Sequence, residues 1–119
     1  MKTRKELREE YKQRKYKMGV FQIKNTISNK IFVGSSEDLD AIWHAQKLQL
    51  DVGIHPNSGL QNDWKEDGPV NFIFEILEEI KQKEDKPLEN IKDVKALETM
   101  IIEELQPFDD RGYNKREKR

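Results

Sequence analysis

Two short apolar runs, 19–24 and 30–34, read as strands, in which a period of two sends successive side chains to opposite faces. Phe21 and Ile23 share one face of the first stretch, with Val20 and Gln22 on the other; in the second, Phe32 opposes Ile31 and Val33. Between them lie Asn25, Thr26, Ile27, Ser28 and Asn29. This composition suits a hairpin loop, so the two strands are predicted to pair antiparallel. From Ser36 the period becomes helical. Ser36 is the predicted cap, Glu37 and Asp38 fill the first turn, Leu39, Ile42, Trp43 and Leu50 build one apolar face, and Gly53 ends the helix. A second helix is expected over 57–67, with Leu60 and Trp64 one turn apart and Gly68 as its stop. Residues 71–77 read as the strongest strand, with Phe72, Phe74 and Ile76 on one face. The polar, proline-containing stretch 81–93 reads as a loose connection. Asp93 is then expected to cap a last helix over 94–105, which Pro107 follows. Ahead of all this, Thr3 and Glu6 have the spacing of a capping box, predicting a helix over 4–15 with only Leu7 and Tyr11 on its apolar stripe.

The resulting order, α–β–β–α–α–β–α, describes an α+β fold: a small three-stranded antiparallel sheet flanked by helices, with an N-terminal helix. At 119 residues the chain suits one such domain. Its organisation divides into a basic N-terminal helix at 1–17, the domain proper at 18–114 and a basic tail at 115–119.

Charge sharpens that division. Charged residues make up 38% of the chain and hydrophobic ones 34%, so the core is thin. The net charge of −1 is the sum of unlike blocks: +5 over 1–17 (8 basic, 3 acidic), −9 over 18–114 (10 basic, 19 acidic) and +3 over 115–119 (4 basic, 1 acidic). Basic ends on an acidic body suit phosphate contacts made through the termini, or simply a solvated surface. Cysteine is absent, which excludes disulfides, thiolate catalysis and Cys-built zinc sites. No signal-peptide core and no membrane-spanning run occurs, so the expectation is a cytoplasmic protein with no membrane partner. Oligomeric state is left open.

Candidate chemistry is sparse. On the last helix Glu98 falls within the arc of Val94, Leu97, Ile101 and Leu105, roughly 40° from Val94 at 100° per residue. A carboxylate facing inward is costly unless paired, hydrogen-bonded or bound to a metal. His44 and His55 are the only histidines, too few for a histidine metal cluster. His55 lies in "HPN" at 55–57, joining two predicted helices where an imidazole can reach a cleft. Trp43 and Trp64, at helical spacing with leucines, read as core. No phosphate-cradling glycine loop or nucleophile motif is present.

Gly19-Val20-Phe21, then about ten residues, then Phe32-Val33-Gly34 resembles the paired signature of the GIY-YIG nucleases. "HPNSGLQNDWKEDGPVNFIFEILEE" is similar to that family's middle segment, "ALETMIIEELQP" to its late helix, and "GYN" at 112–114 to its closing segment. The resemblance covers residues 18–114. It implies attack of an activated water on a nucleic acid phosphodiester with one divalent ion, Mg²⁺ or Mn²⁺. By the same resemblance the ion would be held by Glu98. Phe21, Phe32, His55 and Asn114 would occupy the remaining catalytic positions, and Phe21 and Phe32 would line the working face.

The sequence departs from that pattern at the chemistry itself. Phe21 and Phe32 stand where the family has tyrosines, so neither offers a hydroxyl. Ile42 replaces the family's arginine, and Gln46 stands where a histidine is common. Three readings follow: a divergent metal-dependent endonuclease, a catalytically inactive nucleic-acid-binding domain, and a protein-interaction module of the same fold.

Overall fold

A computed structural model describes residues 3–4 and 16–116; the helix expected over 4–15 lies, Arg4 apart, outside the described residues. The two alternating stretches form β1 (Gly19–Asn25) and β2 (Ile31–Ser36), and the Phe-rich segment forms β3 (Phe72–Glu79). The sheet order is β2-β1-β3, with both pairs antiparallel. Local hydrogen bonding closes the hairpin as its composition predicts. The Asn25 carbonyl accepts from Asn29, which takes a left-handed φ of 65°, and the Asn25 side chain accepts from the Ile27 N–H.

Alternation divides the core in two. Phe21 lies opposite Gly34 and Ile23 opposite Phe32. This face packs against α1 (Leu39–Val52) and α2 (Ser58–Asp67) through Leu39, Leu50, Leu60 and Trp64. Val20 and Val33 project the other way, onto α3 (Pro87–Leu105) through Ile101 and Leu97. Both signature glycines are explained by close approach. A Cβ on Gly34 would lie 2.8 Å from Cζ of Phe21, and one on Gly19 would lie 2.1 Å from the Glu78 carbonyl oxygen.

Two helix starts differ from the sequence reading. Ser36 does not cap α1, because it still belongs to β2, opposite Gly19. The cap is Asp38, whose carboxylate accepts from the Ala41 N–H, while the Ser36 hydroxyl accepts from the Asp38 N–H. Nor does the last helix begin after Asp93. It begins at Pro87, where a missing N–H costs nothing because the first turn has no partner for it. Asp93 is an interior helical residue, 3.8 Å from Lys83 Nζ. The α2 assignment holds: the Asn57 side chain caps it through the Leu60 N–H, and Gly68 ends it at φ 85°.

The outer edge of β2 is closed by the chain's own final segment. Gly112 bridges Ile31 in parallel, and the Tyr113 N–H donates to the Ile31 carbonyl. Asn114 continues the edge with its side chain: Oδ1 accepts from the Val33 N–H at 2.8 Å, and Nδ2 donates to the Val33 carbonyl at 2.9 Å. No helix among the described residues is long and apolar enough to cross a membrane.

Candidate active site

The structure brings His55 and Phe32 together on the α1–α2 face of the sheet. Their ring centroids are 5.8 Å apart in an edge-to-face arrangement. Phe21 lies in the same layer but is only 2% exposed, stacked on Phe74 at 5.3 Å, so it is core rather than lining. Ile42 packs against this cluster too, half-buried beside Trp43, which stacks on Phe74. Thus the arginine position has become part of the apolar core.

His55 is the polar group left beside Phe32, and both of its ring nitrogens are committed. Nδ1 accepts from the Asn57 N–H at 3.0 Å, and Nε2 lies 2.5 Å from Gln46 Oε1. An Nδ1 that accepts requires the proton on Nε2, which therefore donates to the glutamine. Burial pushes the His55 pKa below its ordinary value, with the hydrogen bond to Asn57 acting in the opposite sense. The ring is held neutral, as one tautomer, with no free lone pair facing a cleft. Its backbone is held as well: the His55 N–H donates to Gln61 Oε1, and Gln61 Nε2 donates to the Leu50 carbonyl.

Asn114 does not join His55. Its side-chain amide is spent on Val33, so it acts as an edge clasp of β2. Its neighbour Tyr113 forms a polar centre that the sequence reading passed over. The Tyr113 hydroxyl donates to Asp63 at 2.7 Å and accepts from Asn25 Nδ2 at 3.1 Å, while Asn25 also donates to Asp67 at 2.7 Å. Burial, followed by the bond to Asp63, pushes the tyrosine pKa up to about 12. A buried hairpin Asn and a Tyr next to the closing Asn were the available signals.

Glu98 is carried by α3. α3 packs on the Val20–Val33 face, whereas Phe21, Phe32 and His55 belong to the other. The Glu98 side chain is largely covered, at 23% exposure, and its carboxylate stands 3.9 Å from Lys95 Nζ. Lys95 reaches the Ser35 hydroxyl at the end of β2, and Leu105 lines a shallow cleft with Ile31 at its beginning. α3 therefore runs along β2, with Glu98 between those two contacts in the helix.

The donor set bears on a divalent ion directly. Among the described residues no three His, Cys, Asp or Glu side chains come together, and no buried side-chain polar atom lacks a partner. The residues fit Mg²⁺ or Mn²⁺ only as a single carboxylate anchor, a mode in which such an ion keeps waters and leans on substrate phosphates.

The hairpin with glycines at both signature positions, the third strand beyond two short helices and the glutamate on the long last helix define a nuclease domain: the chain belongs to the GIY-YIG nuclease family. It is 40% identical over 73 residues, 61% of its length, to intron-associated endonuclease 1 of Enterobacteria phage T4, and that match takes in 29% of the relative's length. Its fold matches the solved catalytic domain of the homing endonuclease I-TevI with a TM-score of 0.69 at 33% identity, covering 84% of this chain and 99% of that one. A mutant form of the same catalytic domain gives a TM-score of 0.68 at 34% identity, covering 82% and 92%. No family model matches the chain.

Proposed function

We propose that this domain binds nucleic acid through a GIY-YIG nuclease fold without hydrolysing it. The observation that carries the reading is the commitment of His55, whose two ring nitrogens are bonded to Gln46 and Asn57 while the rings beside it lack hydroxyls. Water attack on phosphorus needs a group that accepts the water's proton, and such catalysis contributes about 10²–10⁴ in rate. It also needs fixed positive charge where the transition state gathers negative charge; losing one such group costs about 10²–10³. Here Ile42 has turned that position into core packing. A divalent ion on Glu98 would supply charge neutralisation at a phosphate, but a group to accept the water's proton would still be required.

Nucleic acid binding is supported by the family's established members and by the basic blocks at 1–17 and 115–119. The partial exposure of Glu98 favours a second reading, in which slow metal-dependent hydrolysis persists. Nicking of supercoiled plasmid with Mg²⁺ or Mn²⁺, run beside Glu98→Gln, separates the two. The expected result is no nicking that depends on Glu98, together with gel retention of DNA that weakens as salt rises. Nicking abolished by Glu98→Gln reinstates the enzyme, and absence of retention favours the protein-interaction module.

A further inference from the structure

The cation missing from position 42 has a counterpart elsewhere. Lys95 lies one turn before Glu98 on α3, with Nζ 3.3 Å from the Ser35 hydroxyl and 3.9 Å from the Glu98 carboxylate. Ser35 directly follows Gly34 of the second signature triplet, so this ammonium stands at the end of β2 beside the family's metal-binding position. Its side chain is 65% exposed. A lysine this exposed, 3.9 Å from a single carboxylate, adds little to stability. A lysine ammonium has three N–H donors; Ser35 and Glu98 engage at most two, so at least one is directed to solvent. A compact, strongly hydrated point charge held in this way suits a single phosphate oxygen.

We infer that Lys95, oriented by Ser35 and Glu98, is a phosphate-contacting cation of the folded domain, and that it makes the contact without a divalent ion. The inference rests on the nucleic-acid-binding reading above. It assigns to Lys95 the charge that the arginine and the metal supply by family resemblance. Glu98 then keeps a use unrelated to hydrolysis, which is to orient Lys95 while partly offsetting its charge.

The test is fluorescence anisotropy with a labelled DNA duplex of mixed sequence, in EDTA, across a salt series. Wild type is expected to bind under these conditions. Lys95→Ala is expected to weaken binding about three- to tenfold near physiological salt and to reduce the slope of log K against log salt by about 0.9, the signature of one lost phosphate contact. Lys65→Ala, an exposed lysine on α2 across the sheet, is expected to change neither. Glu98→Gln, which keeps an amide oxygen to orient Lys95 while removing a negative charge near the phosphate, is expected to tighten binding, and a loss as large as that of Lys95→Ala would overturn the offsetting role given to Glu98. If wild type binds and Lys95→Ala matches it in affinity and slope, the inference is wrong and the nucleic-acid reading stands. Wild-type binding that disappears in EDTA and returns with Mg²⁺ overturns the metal-independent contact. If wild type fails to bind at any salt concentration, both are overturned.

Discussion

Replacing Asn114 by alanine tests whether the closing asparagine is a clasp. The substitution removes two hydrogen bonds, at 2.8 and 2.9 Å, from the backbone of Val33, a residue only 2% exposed. A hydrogen bond contributes about 0.5–1.5 kcal/mol net, and an unpartnered buried group costs about 1–3 kcal/mol. Asn114 itself is half-exposed, so water can reach part of the vacated edge. The loss expected for Asn114→Ala is therefore about 1–3 kcal/mol, the range of two ordinary bonds. In a domain of this size that lowers Tm by roughly 5–15 °C. Asn114→Asp adds a sharper discrimination. As a carboxylate the new side chain accepts from the Val33 N–H but faces the Val33 carbonyl with no proton to donate. Once protonated it can make both bonds. Its folded-state pKa should therefore be raised above the ordinary carboxylate value, and the stability of this variant relative to wild type should recover as pH falls through that value. Urea denaturation of both variants between pH 3 and 7, read by far-UV circular dichroism, is the assay. Loss below about 0.5 kcal/mol for Asn114→Ala, or an Asn114→Asp penalty that does not change with pH, would refute the clasp.

Gly34→Ala places a methyl group against the Phe21 ring, which is held by Phe74 and cannot withdraw; a destabilisation of about 1–3 kcal/mol is expected in chemical denaturation. Because the His55 pKa is lowered on folding, the unfolded chain binds more protons, so stability should fall as pH drops from about 6.5 through the folded pKa. His55→Gln should flatten that part of the profile, and an unchanged profile argues against the neutral, doubly bonded imidazole. Tyr113→Phe removes the hydroxyl shared by Asp63 and Asn25 and should cost about 1–2 kcal/mol, measured as a shift in the urea midpoint with an unchanged m-value.

What the sequence determined by itself is local in origin. Period-two alternation set the faces of β1 and β2, loop chemistry closed the hairpin, and Asn57 and Gly68 bounded α2, because each depends on residues within a few positions of one another. The family resemblance put Phe21 and Phe32 on one face, and the apolar side chain of Ile42 already excluded a guanidinium at its position. Tertiary structure decided the rest. Pro87 reads locally as a break, yet becomes the first residue of α3 once that helix packs along the sheet. Glu98 falls within an apolar arc on a helical wheel, and the fold adds what the wheel does not show, a side chain only 23% exposed with the Lys95 ammonium 3.9 Å from its carboxylate. The commitments of His55 and Asn114 were beyond local reading. Asn114 meets Val33 across 81 residues of sequence, and Gln46 meets His55 only after α1 and α2 fold onto one side of the sheet. A side chain's chemical type is written in the sequence, whereas whether its donors and acceptors are still free is settled by which distant groups the fold brings to them.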